Sequence, residues 1–184
     1  MSEYYLISQL PSLDGLSENL IVPISYEKFL ELCNSLLSER VKNKVNSLTI
    51  TPPVELEKSG SSLIDAWNDG ERNLRIALAK ARAEKMNKPI NFANKYFSTE
   101  LIKLANTAVE IDNPLEAETF LNNYRLKFLE SLRPMDNFSE DFVYYYGLKL
   151  KLILKMRKYD TKLGEEAYKS VYNSILNGEN LEAR

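Results

Sequence analysis

The side chains here that could do chemistry are lysines, tyrosines and carboxylates, because the 184 residues contain no histidine and one cysteine. Zero His removes Ser-His and Cys-His nucleophile pairs, His-ligated zinc and the usual general base near neutral pH. A single Cys, Cys33, removes intrachain disulfides and multi-Cys zinc or iron–sulfur sites. What remains is a carboxylate pair, a carboxylate metal site, or basic and aromatic surfaces that meet a partner.

Four groupings invite that question. Lys151, Lys155, Lys158 and Lys162 fall within a stripe of roughly 60° if one helix carries them all. Tyr144-Tyr145-Tyr146 lies just before them, and tyrosines beside lysines are the raw material of a single-strand nucleic-acid surface. Three successive helical residues point in three directions, however, and a net charge of −2 argues against a polyanion partner, so no nucleic acid is expected. Glu110, Asp112, Glu116 and Glu118 crowd a helix junction, where carboxylates complement the helix dipole. A hard metal needs converging ligands, which this spacing does not force. Arg72, Arg75, Arg82 and Lys85 lie mostly off the apolar face of their helix, as a solvated flank or a surface for an acidic partner. Neither GxxxxGK[ST] nor GxGxxG occurs, and no cofactor is expected.

The elements that position these groups are helices. Ser25 caps a helix to about Leu37, whose inward face includes Phe29, Cys33 and Leu36. Cys33 therefore reads as core filler. Val41, Val45 and Leu48 extend the pattern weakly, and Thr51-Pro52-Pro53 stops it. Residues 52–62 form the clearest linker and the one sub-boundary in what otherwise reads as a single domain over 1–184. A helix from about Leu63 to Met86 buries Trp67, Leu74 and Leu78, with Gly70 on the same face offering a close approach or a kink. Further helices are predicted over Thr99–Ile111, from Asn113-Pro114 to Pro134, and from Ser139 to about Lys158. A last one starts at Thr161, turns Leu163, Ala167, Tyr168, Val171, Tyr172, Ile175 and Leu176 inward, and finds a stop at Gly178.

The helix from Phe142 to Lys158 is apolar over most of its circumference and should be central. Lys149 and Arg157 fall inside its apolar arc, so each must meet a carboxylate or sit at an interface. The N-terminal Tyr4–Leu10 is aromatic and β-branched and reads as a short strand or extended arm. The fold class is all-α: six or seven helices around a central apolar helix, with an extended or strand-like N-terminal segment. A mass of 21.2 kDa implies a folded surface of roughly 9,000 Å². No apolar run approaches the ~20 residues of a membrane span. The Met1-Ser2-Glu3 start lacks the basic region of a signal peptide, which with the unpaired cysteine points to the cytoplasm.

Two stretches resemble a known family. Tyr4 to Leu13, followed by Ile24 to Cys33, resembles an uncharacterised bacterial family encoded among the components of V-type ATPases. Ala66-Trp67-Asn68-Asp69-Gly70-Glu71-Arg72-Asn73-Leu74-Arg75, with Ala79 to Ala83, fits the same family. That second stretch is also faintly similar to the D-x-x-N-L-(K/R) helix of the C-type central-stalk component of archaeal and V-type rotary ATPases, the d-type component in eukaryotes. The resemblance implies a helical central-stalk protein between the rotor ring and the shaft, with no chemistry of its own, cytoplasmic and peripheral to the membrane through that complex. Its matching residues Asn73, Leu74 and Arg75 are read as structural. The chain is considerably shorter than the C-type proteins, which are built from three related helical units. The expected function is thus that of a non-catalytic interaction subunit, with Arg72, Arg75, Lys151 and Lys155 as candidate partner contacts. The alternatives are a cytoplasmic scaffold or assembly factor, and a small enzyme using Lys, Tyr or carboxylates.

Overall fold

A computed structural model describes residues 2–15, 22–54, 58–88, 97–158 and 161–182, without the side chains of 2, 161–163, 167 and 176–182. Among the described residues there are eight α-helices and no strand. They are α1 (Ser2–Gln9), α2 (Tyr26–Leu36), α3 (Glu39–Ser47), α4 (Ser62–Lys85), α5 (Thr99–Glu110), α6 (Pro114–Ser131), α7 (Glu140–Arg157) and α8 (Thr161–Glu182).

The expected strand-like N-terminus is instead the helix α1. A strand needs a neighbour to take its backbone hydrogen bonds, and an all-helical body offers none; a helix satisfies its own. Glu3 sits in its first turn, favourable to the dipole, and Leu6 is fully buried. The weak pattern after Leu37 is also a helix in its own right. Leu37 and Ser38 adopt extended backbone, breaking the chain between α2 and α3, and Val41 and Val45 are then fully buried.

Each of five helices has a side-chain cap at its start. Ser25, Ser61, Ser98, Asn113 and Ser139 each accept a backbone N–H from the first turn of the following helix. Ser61 does more: its hydroxyl donates to Asp141 at 2.6 Å, tying the linker to the start of α7. Gly60 just before it has φ +73°, a left-handed turn that suits glycine. Asn87 ends α4 with φ 52°, the usual alternative to glycine after a helix. Gly178 does not end α8, which continues to Glu182.

α7 is central, as its apolar circumference required. It packs against α1, α2, α3, α4 and α6. Val143 through Leu150 are all buried, as is Leu152. The main core joins α7 to Leu6, Phe29, Cys33, Val41 and Val45 on one side of the linker, and to Leu63, Trp67 and Leu129 on the other. A second cluster joins the later half of α4 to α5 and α6 through Leu74, Leu78, Ala105 and Leu121. Gly70 permits a close approach: a Cβ there would stand 2.3 Å from the Phe128 ring. That ring also packs with Trp67 and Tyr124, ring centres 6.1 and 6.4 Å away.

Candidate functional site

The four residues singled out as partner contacts are each engaged within the protein. Arg72 donates to the Pro53 carbonyl at 2.9 Å and pairs with Asp69 at 3.2 Å. Arg75 donates to Glu71 at 3.0 Å and to the Thr51 hydroxyl at 3.2 Å. Both therefore fasten α4 to itself or to the chain around the start of the linker. Lys151 donates to the Leu48 carbonyl and covers the Tyr26 ring, 4.5 Å from its centre. Lys155 pairs with Glu118 at 2.6 Å.

That last pair belongs to a buried network no motif announced. Glu71 and Arg125, 1% and 7% exposed at their side chains, form a two-pronged pair with both N···O distances 2.9 Å. Arg125 also donates to Asn122 at 3.0 Å and reaches Glu118 at 3.5 Å, which leads on to Lys155. The signal was present in the periodicity. At about 100° per residue Glu71 falls among Trp67, Leu74 and Leu78, and Arg125 falls among Leu121, Phe128 and Leu129. Two opposite charges on the apolar faces of successive long helices should meet, since neither is tolerable alone.

Lys149 meets the carboxylate expected of it, twice. Its ammonium lies 2.6 Å from Asp14 and 2.6 Å from Glu130, and donates to the Tyr145 hydroxyl at 3.3 Å. Burial disfavours its charge, but these hydrogen bonds outweigh that and hold its pKa above the ordinary lysine value. The bond from Lys149 draws Asp14 below the usual carboxylate range. Arg133 adds a cation over the Phe142 and Tyr145 rings and lies 3.5 Å from Asp14. Asp14, Arg133, Tyr145 and Lys149 border a cleft of about 180 Å³ under the Pro11–Asp14 loop. Its charges are mutually paired: Lys149 and Arg133 both face Asp14, and Glu130 takes up Lys149 as well.

The tyrosine triplet is core. Tyr144, Tyr145 and Tyr146 are 0, 2 and 5% exposed, which leaves none of the three rings free to stack on a base. The Tyr146 hydroxyl donates to the Pro11 carbonyl at 2.9 Å, and burial raises its pKa. Cys33 is fully buried, and loss of solvent pushes its thiol up to about 12, far from a nucleophile's range. Of the acidic junction, Glu118 is used by Arg125 and Lys155, Glu116 accepts from Asn113 at 3.0 Å, and Glu110 and Asp112 are exposed. Among the described residues no three acidic or Cys side chains gather as a metal site. Leu74 of the D-x-x-N-L-(K/R)-like stretch is core at 1% exposure.

Surfaces hold what pockets do not. The described side chains of α8 expected to face inward are exposed: Tyr168 70%, Val171 58%, Tyr172 51% and Ile175 56%. They share one face by their three- and four-residue spacing, with Tyr168 and Tyr172 stacked 6.1 Å apart. No other helix packs along α8 among the described residues. A second apolar patch joins Tyr4 and Tyr5 of α1 to Phe138 of the α6–α7 loop, with Tyr4 and Phe138 ring centres 4.9 Å apart. The third surface is an open groove of about 710 Å³ between α7 and the start of α2, which gathers Lys151, Lys155, Arg157 and Lys158. Lys162, fourth in the expected lysine stripe, has a side chain outside those described.

No helix among the described residues is long and apolar enough to cross a membrane. No protein-family model, curated protein or solved structure matches this chain.

Proposed function

We propose that this chain is a non-catalytic helical interaction protein, and that its place is a central-stalk position, like that of the C-type component, in a bacterial V-type ATPase. The observation that carries the interaction reading is α8. It is a 22-residue amphipathic helix on whose apolar face the described side chains, Tyr168, Val171, Tyr172 and Ile175, are all exposed; those of Leu163, Ala167 and Leu176 lie outside the described ones. Apolar surface arranged as a continuous stripe marks a contact site, whereas single exposed hydrophobes do not. The pairing of charges around the Lys149 cleft favours the same reading over an enzyme, which needs ionisable groups left free to act.

The rotary-ATPase placement rests on the resemblance at Tyr4–Leu13, Ile24–Cys33 and Ala66–Arg75 alone. In that setting the stiff, α7-centred body would hold the shaft against the rotor ring. The same surfaces fit a cytoplasmic scaffold or assembly factor of that complex. Affinity capture of the tagged chain from its native host, with quantitative mass spectrometry, separates them. Stoichiometric recovery with the assembled ATPase supports a stalk role. Recovery with immature subcomplexes alone makes it an assembly factor, and recovery without any ATPase component removes both.

A further inference from the structure

We infer that the α2–α7 groove is a docking site for an acidic amphipathic helix of a partner protein. The inference rests on the interaction reading above and names the partner's chemistry; it does not need that partner to belong to an ATPase.

One wall of the groove is α7. Lys151, Leu154, Lys155 and Lys158 succeed one another at three- and four-residue spacing, so they line one face over about 10 Å, two helical turns. The opposite wall is Ser25 and Tyr26 at the start of α2, with Ile50 beyond α3. The floor is apolar, made by half-buried Tyr26, Ile50 and Leu154. The rim is cationic, and its charge is not neutralised from within. Lys155 has Glu118, but Lys151 donates to an uncharged acceptor, the Leu48 carbonyl. Arg157 and Lys158 have no carboxylate partner among the described residues, and the Arg157 Nε is buried without any acceptor. Against these stands one exposed carboxylate in the lining, Glu27.

Sequence required Arg157 to meet a carboxylate or an interface, and no carboxylate is there among the described residues. The groove supplies the interface. A free phosphate would satisfy the rim but leave the floor wet. A single-stranded nucleic acid would want exposed rings to stack on, and the tyrosine triplet is buried. A helix with carboxylates on successive turns beside an apolar stripe answers rim and floor together. Carboxylates two turns apart along it, about 10 Å, match the span from Lys151 to Lys158. The positive end of α2, capped at Ser25, favours the same sign of charge.

The test is fluorescence anisotropy on the full chain with four probes. They are a labelled helical peptide of about four turns with a Leu stripe edged by Glu, the same peptide with Gln for Glu, a single-stranded oligonucleotide, and inorganic phosphate as competitor. The Glu peptide should bind, and the Gln peptide at least tenfold more weakly. Lys158→Glu, at an exposed position, should weaken the Glu peptide at least tenfold with the far-UV helix signal and melting temperature unchanged. Equal binding of the Glu and Gln peptides, or no effect of Lys158→Glu, overturns the proposal. So does binding of the oligonucleotide, or displacement by millimolar phosphate, in place of the Glu peptide. If the Glu peptide fails while native-host capture still depends on the α8 face, the groove assignment falls and the interaction reading stands.

Discussion

Arg125 reaches from α6 to hold both oxygens of Glu71 on α4, with N···O distances of 2.9 Å on each prong. The pair lies between the two apolar clusters of the molecule, and Asn122 and Glu118 satisfy further guanidinium protons. Two-pronged geometry and near-complete burial make each half intolerant of losing the other.

A double-mutant cycle measures this. Arg125→Met should cost about 3 kcal/mol by leaving the buried Glu71 with the half-exposed Arg75 as its remaining partner, and Glu71→Met a comparable amount by leaving Arg125 buried without its main carboxylate. The combined Glu71→Met/Arg125→Met protein should be more stable than either expectation summed, because it leaves no buried charge behind. Urea unfolding midpoints check it; strict additivity would mean that the two residues act separately.

Gly70 is a contact requirement. Gly70→Ala gains about 1 kcal/mol of helix propensity but drives a methyl into a Phe128 ring that already packs with Trp67 and Tyr124. The net effect should be a loss of about 1–3 kcal/mol, the usual cost of overpacking. In a Phe128→Leu background the same substitution should become neutral or stabilising, which thermal melts of the four proteins will show.

The clamp between Asp14 and Lys149 ties the N-terminal loop to α7 and should make stability depend on pH at both ends. Asp14 titrates below its ordinary value of 3.8, so its contribution is complete above that value and is lost as acid carries the pH down through the lowered one. Lys149 titrates above its ordinary 10.5, so its share is complete below that value and is lost as the pH climbs through the raised one. Asp14 is 57% exposed, and solvent screening limits its acid-side effect to less than about 1 kcal/mol. Asp14→Asn should therefore flatten the acid limb of a stability–pH curve slightly, leaving the protein folded at neutral pH.

The apolar stripe of α8 should be dispensable for folding and required for association. Val171→Glu and Ile175→Glu should each alter stability by no more than about 0.5 kcal/mol, because the wild-type side chains already face water. Each should strongly reduce partner recovery in native-host capture. A large stability loss would place the stripe in the core instead.

Cys33 should resist Ellman's reagent in the native state and react at once in denaturant, since it is fully buried with its thiol pushed up to about 12. Fast native labelling would show α2 detaching from α7.

Much of the fold was legible because helices are specified locally. The caps Ser25, Asn113 and Ser139 and the three- and four-residue apolar spacing are properties of a few neighbouring side chains. Centrality of α7 was legible too, since a helix apolar almost all round has nowhere else to go. Two local readings failed where distant context outweighed propensity. The β-branched, aromatic Tyr4–Leu10 became helical in the absence of any sheet, and Tyr168, Val171, Tyr172 and Ile175, patterned for a core, face outward. The candidate contact residues were chosen as charges lying off the apolar faces. That spacing cannot tell a free lysine from one whose partner lies far along the chain, such as Lys155 with Glu118.

By itself, the sequence determined the chemistry this chain lacks, the helical class and the residues that must be buried, because composition and periodicity act over one or two turns. Only the tertiary structure decided which charges are spent and which have no carboxylate partner among the described residues. Arg72, Arg75 and Lys155 are held by partners, while Arg157 and Lys158 remain on an open groove. Charge pairing is a matter of a few ångströms in space between residues tens of positions apart, and no local pattern carries that distance.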